Sequence, residues 1–282
     1  MSHVDHFSYG LLTPVLAYVM SGIGCMLGLL LAARARSATG PSRARRLIGG
    51  ALSIGGTGVW GMHSVAMMGF TPGGQIRYDV PMTVGSAVPA VVMVCAALFL
   101  TSRGGERLVP LLGGGLLTGL GVAGMHYSGM FAMNMSAHVS YDPLFVGLSV
   151  VIAIAASTVA LWFTQRVSGP LATAGAALIM ASGVCGMHYV GMFAMEVQPQ
   201  ISPAPVAGAR GADFLLPALV VLGLLTLGLL LAVVLSPSEQ EQEDDAALLA
   251  RLETLRDTAQ PPAPAAPETG TPKRPSLFDS GG

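Results

Sequence analysis

Seven stretches of this chain are apolar for close to the length of a membrane crossing: 11–33, 46–70, 80–102, 108–132, 144–165, 171–195 and 214–235. A bilayer core takes about 20 helical residues to cross. The sequence therefore predicts an all-α, polytopic membrane protein of seven helices. Composition agrees: charged residues are 10% of the chain, against about a quarter in soluble domains. A net charge of -1 excludes a basic footprint for nucleic acid. The lipid bilayer is the partner this composition implies. Cys25, Cys95 and Cys185 form no CxxC pair, and an odd count argues against a disulfide framework. No positive n-region marks a cleavable leader.

Arginine sets the expected orientation. Arg34, Arg36, Arg43, Arg45 and Arg46 follow the first run, Arg103 and Arg107 the third, and Arg166 the fifth. Only Arg77 and Arg210 fall on the opposite side. This places residues 1–10 outside the cell and residues 236–282 inside, about a seven-helix domain over 11–235. A cell membrane is the expected location.

A repeat runs through the domain. GMHSVAMMGF at 61–70, GMHYSGMFAM at 124–133 and GMHYVGMFAM at 186–195 each end an even-numbered run. His63 and His126 are 63 residues apart, and His126 and His188 are 62 apart. A second marker moves with the first: Tyr78-Asp79 and Tyr141-Asp142 are again 63 apart, each opening an odd-numbered run. His6-Phe7-Ser8-Tyr9 echoes His138-Val139-Ser140-Tyr141. The unit is a helix pair that enters at Tyr and returns to the Met-His motif. Repeats in parallel register hold equivalent residues at equal depth, so His63, His126 and His188 are expected in one layer near the outer surface. His3, His6 and His138 fall on the same side.

Residues four apart share a helix face. His63 therefore stands over Met67, His126 over Met130 and His188 over Met192, with Met62, Met125 and Met187 one residue before each histidine. Imidazole with thioether suits a soft or borderline metal, and thioether favours Cu(I). No carboxylate of the kind that Mg and Ca require lies in any motif. Copper is the best chemical match, and haem between two facing histidines is the alternative. Cys185 precedes His188 by three residues, but Trp60 and Ala123 hold that place in the other units. The competing reading is a His–Tyr hydrogen-bonded network with no ion. Ionisable groups within a span default to function, which favours a ligand layer. Tyr127 and Tyr189 are cofactor-side candidates, although a buried tyrosine commonly just fills space and bonds a neighbour. The glycines Gly115, Gly119, Gly121, Gly124, Gly183, Gly186 and Gly191 read as small faces for helix packing. Cys25 and Cys95 read as small packing residues, terminal His3 and His6 as solvated, and the arginines as topology determinants.

After 236 the character changes. The segment following the acidic run 239–245 spaces Leu248, Leu252 and Leu255 helically, with Leu249 beside them, and a Pro-rich stretch follows. This reads as a short amphipathic helix and then disorder.

Together these residues resemble the bacterial MHYT domain, over roughly residues 9–235. The resemblance implies an integral membrane sensor of about seven helices. It implies copper held through Met, His and Tyr, and a response to oxygen, carbon monoxide or nitric oxide. Met125-His126-Tyr127 and Met187-His188-Tyr189 match the motif. The first unit has Met62-His63 but Ser64 for the tyrosine, and Val65, Ser128 and Val190 stand where the family has threonine. Relatives carry cyclase, phosphodiesterase, kinase or transcriptional output domains. With no such domain in the 47 residues after the last run, and no nucleophile–base pair, this chain is expected to be a non-enzymatic sensor with a separate signalling partner. A copper transporter and a ligand-free scaffold are the rival expectations.

Overall fold

The computed structural model describes residues 10–71, 75–104, 107–199, 206–235 and 247–256. They fall into two units, one ending at Ser236 and one beginning at Pro237. Six helices are long and apolar enough to cross a membrane: Leu12–Arg36, Val80–Gly104, Leu108–Phe131, Pro143–Arg166, Pro170–Phe193 and Gly211–Val234. The chain is a multi-pass helical membrane protein.

In chain order the elements are α1 (Leu12–Arg36), α2 (Gly40–Ala51), a π-helical segment (Leu52–Gly61), α3 (Met62–Met67), α4 (Val80–Gly85), α5 (Ala87–Gly104), α6 (Leu108–Phe131), α7 (Pro143–Arg166), α8 (Pro170–Phe193) and α9 (Gly211–Val234). The run expected as one helix over 46–70 is thus helical from Gly40 to Met67, in three segments. The π turn sits where two backbones nearly touch. A Cβ on Gly24 would lie 2.3 Å from the Gly58 nitrogen, and Ser53 Oγ donates to the Gly24 carbonyl at 3.0 Å. The widened turn leads directly into Met62 and His63.

The helices close into a ring. α1 packs on the π segment, α3 and α8; α5 packs on the π segment; α6 lies between α5 and α7; and α7 returns to α8. The three motif-bearing helices α3, α6 and α8 alternate with α1, α5 and α7. α9 packs outside the ring on the π segment, where Thr57 and Thr226 hydroxyls bond at 2.7 Å. Small faces set some contacts as expected: a Cβ on Gly119 would lie 2.5 Å from the Ile154 Cα. Gly186 faces nothing within 4 Å.

The all-α expectation misses two small ribbons. β1 (Ile76–Tyr78) pairs antiparallel with β2 (Met133–Met135), and β3 (Ala137–Tyr141) with β4 (Met195–Pro199). Tyr78 stands opposite Met133 and Tyr141 opposite Met195, so the register repeats. Each Tyr-Asp marker then opens a helix. The Asp79 carboxylate accepts from the Met82 N–H and the Asp142 carboxylate from the Leu144 N–H, which satisfies an otherwise unpaired donor of the first turn. Pro81 and Pro143 stand in that same first turn, where a missing N–H is harmless. The same two residues reach across the repeat: the Asp79 N–H bonds the Ala132 carbonyl at 2.9 Å and the Asp142 N–H the Ala194 carbonyl at 2.8 Å. The motif helix of the second unit and that of the third therefore each end on the strand that opened their own unit.

In the second unit residues 247–256 are helical, with Leu248, Leu249, Leu252 and Leu255 exposed. His3, His6, Tyr9, the acidic run and the Pro-rich end lie outside the described residues.

Candidate metal centre

His63 on α3, His126 on α6 and His188 on α8 point into the ring and meet there. Their exposures are 3%, 0% and 1%. The Nδ1 atoms form a nearly equilateral triangle: 3.1 Å from His63 to His188, 3.3 Å from His126 to His63, and 3.2 Å from His188 to His126. The ring planes stand at 81° to 88° to one another. Two glycines make this possible. A Cβ on Gly129 would lie 2.6 Å from His63 Nε2, and one on Gly191 would lie 2.4 Å from His126 Nε2. Each glycine is three residues past a motif histidine and makes room for the imidazole of the unit before it. Gly191 thus accommodates a ring, where the sequence suggested a helix-packing face. The equivalent place in the first unit is Ala66.

Protons alone cannot satisfy this triangle. A neutral imidazole nitrogen is either a donor or an acceptor. Among three mutually adjacent nitrogens two must be alike, so one close pair sets lone pair against lone pair or N–H against N–H. Three lone pairs aimed at one cation remove the conflict. The spacing fits as well. Nitrogens held at about 2.0–2.1 Å by one ion, with near-tetrahedral angles, lie about 3.3 Å apart. With Nδ1 as a ligand atom, the proton of His126 would reside on Nε2, a buried atom with no hydrogen-bond partner. An unpaired buried donor costs about 1–3 kcal/mol, and ion binding at Nδ1 offsets that cost. Charge, geometry and donor type all fit a metal ion, and the three histidines form a potential metal-binding group.

The methionines divide into two sets. Met67, Met130 and Met192, one turn beyond the histidines, share a buried cluster with Met133, Met195, Phe70 and Tyr78. This cluster lies between the triad and the ribbons. Burial pushes the Tyr78 phenol up to about 12, so this wall is uncharged at neutral pH. Met62, Met125 and Met187 are just as buried but pack elsewhere. Met125 and Met187 join Val59, Trp60 and Leu222; Met62 joins Ala17, Ala66 and Cys185. Tyr127 and Tyr189 set their rings edge-on against their neighbouring histidines, at 4.9 Å and 5.0 Å between centroids. The Tyr127 hydroxyl is engaged with Ser149 Oγ at 2.6 Å. Ser64, in the tyrosine's place, donates to the Trp60 carbonyl of its own helix. His138 lies on β3, exposed and away from the triad. Beyond the methionine cluster a depression of about 690 Å³ opens between the ribbons, lined by Met130, Met133, Met135, Met195 and His138 among others.

A multi-pass helical protein whose three repeats each deliver one histidine to a common centre is the class these features define. Three consecutive segments, 56–114, 119–177 and 182–241, match the family described as bacterial signalling protein N terminal repeat, MHYT, and the chain belongs to that family. Each match contains one Met-His motif. Among curated relatives, the bifunctional diguanylate cyclase/cyclic di-GMP phosphodiesterase MucR of Pseudomonas aeruginosa is 35% identical over 253 residues, 86% of this chain and 36% of the relative. The cyclic di-GMP phosphodiesterase NbdA of the same organism is 36% identical over 146 residues, half of this chain and 19% of the relative. The signalling protein YkoW of Bacillus subtilis is 29% identical over 205 residues, 70% of this chain and 25% of the relative. The chain thus spans little more than a third, or less, of the length of these relatives. No solved structure matches it.

Proposed function

We propose that this chain is the membrane sensor module of a bacterial signalling system, and that it holds one metal ion, Cu(I) by preference, at His63, His126 and His188. The observation that carries this reading is the mutual approach of three Nδ1 atoms whose donor and acceptor roles cannot all be matched without a cation. The thioether cluster beside the triad favours a soft ion. Three imidazoles leave a position open for a small exogenous ligand, which suits a response to a diatomic gas or to redox state. Haem is disfavoured by the same distances. Axial nitrogens on opposite faces of an iron stand about 4 Å apart when each bond is about 2.0 Å, farther than any pair here.

The module is read as seven crossings, with Gly40–Met67 as the second. The bias of eight arginines against two orients the histidine end outward and the arginine end toward the cytoplasm. Signalling through a separate cytoplasmic or membrane partner, with residues 236–282 as the inward tail, completes the reading. A transport role is disfavoured by the ring axis. Cys25, Ile54, Val59, Val94 and Val122 help line a void of only about 30 Å³ there, room for one or two waters.

The test compares thermal unfolding of detergent-purified wild type, His126→Ala and His188→Ala, with and without Cu(I) under anaerobic conditions. Binding to the folded state alone adds roughly 2.7 kcal/mol at a hundredfold excess over the dissociation constant. The wild-type midpoint is expected to rise with Cu(I) and both variants to lose most of that rise. Correctly folded wild type that shows no shift ends the metal reading. A haem absorption band in the purified protein replaces it with the alternative cofactor.

A further inference from the structure

The opposite end of the ring carries a second constellation. Four arginines of the α1–α2 hairpin reach the C-terminal carbonyls of four helices. Arg46 donates to the Arg34 carbonyl of α1. Arg43 donates to the Ser102 carbonyl of α5. Arg36 donates to the Thr164 and Val167 carbonyls at the end of α7, at 2.7 and 2.8 Å. Arg34 donates to the Val233 carbonyl of α9. Each helix C-terminus contributes roughly half a negative charge, so the four offset about half of the four positive charges. Among the described residues of this unit, Asp79, Asp142, Glu196 and Asp213 are the acidic ones, and all four lie at the histidine end. Among the described residues, the arginine end is left with a cationic surplus.

Two of these arginines, Arg36 and Arg43, line a cavity of about 250 Å³ together with Thr101, Ser102, Thr164 and Gln165 among others. The hydroxyls of Thr101, Ser102 and Thr164 already donate to carbonyls of their own helices. Donors for an occupant therefore come from the guanidiniums and from Gln165. A guanidinium has five N–H groups, more than these carbonyl bonds engage. The Gln165 side-chain nitrogen is buried with no hydrogen-bond partner, which calls for an acceptor at that place. Planar forks of N–H donors match phosphate oxygens. The cavity is lined by the arginine ends of α1, α5 and α7, helices long and apolar enough to cross a membrane, and juxtamembrane arginines attract lipid phosphates.

We infer that this cavity binds a phosphate-bearing anion, held by Arg36, Arg43 and the Gln165 amide. The source is either the headgroup of an anionic phospholipid or a free phosphate. Binding there joins the ends of α1, α2, α5 and α7 through one ligand. The inference does not depend on the metal centre.

Detergent-purified protein is titrated with inorganic phosphate against sodium chloride of matched ionic strength. In parallel it is placed in phosphatidylcholine nanodiscs with and without phosphatidylglycerol, and thermal unfolding is read in both series. Gln165→Leu is the main variant, because Gln165 caps no helix and its loss leaves the fold intact; Arg43→Gln is the second. Stabilisation by phosphate or by phosphatidylglycerol beyond the controls is expected, with apparent binding at least about tenfold weaker in Gln165→Leu, the loss of one hydrogen bond to a charged group. A phosphate effect identifies the free anion, and an effect of phosphatidylglycerol alone identifies the lipid. The inference fails if neither exceeds its control, or if the stabilisation persists undiminished in both variants.

Discussion

The same helices end in two opposite ways. At the arginine end, Arg34, Arg36, Arg43 and Arg46 reach helix carbonyls, each finding its partner on a neighbouring helix. At the histidine end, backbone does that work: Asp79 and Asp142 N–H groups bond the carbonyls that close α6 and α8. The motif side chains, released from capping, are turned inward. One end uses charge to tie helices at the surface; the other uses neutral backbone donors and gathers three imidazoles in the core. The difference teaches that position on a helix, as much as residue type, decides whether a basic side chain serves structure or binding.

The largest expected effect tests the inward end. Gly191→Ala places a methyl where His126 Nε2 now lies; overpacking of this kind costs about 1–3 kcal/mol. It is expected to lower the metal-free melting point and to abolish the Cu(I) increment. A variant that still gains the full increment would show the ring to be free to move, and the core would then be no stiffer than the surface. Next, Arg43→Met strips the Ser102 carbonyl of its charged donor, worth about 2 kcal/mol. Chemical denaturation should report that loss while the Cu(I) increment stays; its disappearance would mean that the ends are coupled and the comparison false. Asp142→Ala removes the cap of α7, about 1 kcal/mol, and should also spare the increment, as read by the same pair of melts. Tyr127→Phe is the mildest. It deletes the bond to Ser149, at most about 1 kcal/mol, and keeps the ring against His126. Metal content by elemental analysis should not change; a loss of metal would give Tyr127 a ligand role.

Much of the histidine end was legible in the sequence. The constant interval among His63, His126 and His188 announced a shared layer, and equal depth in a ring of repeats is close to a shared point. Three features were not legible. Gly129 and Gly191 sit at i+3 from a motif histidine, where small residues usually serve helix packing. That each accepts a ring from another unit depends on which helix is its neighbour, and no local pattern records this. The π segment was hidden because hydrophobicity is nearly continuous through Leu52–Gly61 and does not distinguish one helical hydrogen-bond register from another. The ribbons of three and five residues are too short to show alternation. At the arginine end the residues were noticed but their role was not. A topology signal and a carbonyl cap look identical in sequence, and only the fold shows that Arg36 reaches α7 across 128 positions.

The triad gives the number of copies in this chain a chemical meaning. With two repeats, two facing imidazoles could share a single proton, one giving and one accepting, and the pair would be content without any ion. A third repeat makes the circle odd, and no placement of protons around an odd circle lets every neighbour agree. On the proposed reading, a third unit is then more than an enlargement of the bundle: it exchanges a site that its own protons can complete for one that an ion from the environment completes. A sensor built on that deficit, as proposed here, would register its surroundings by the ion that arrives to fill it.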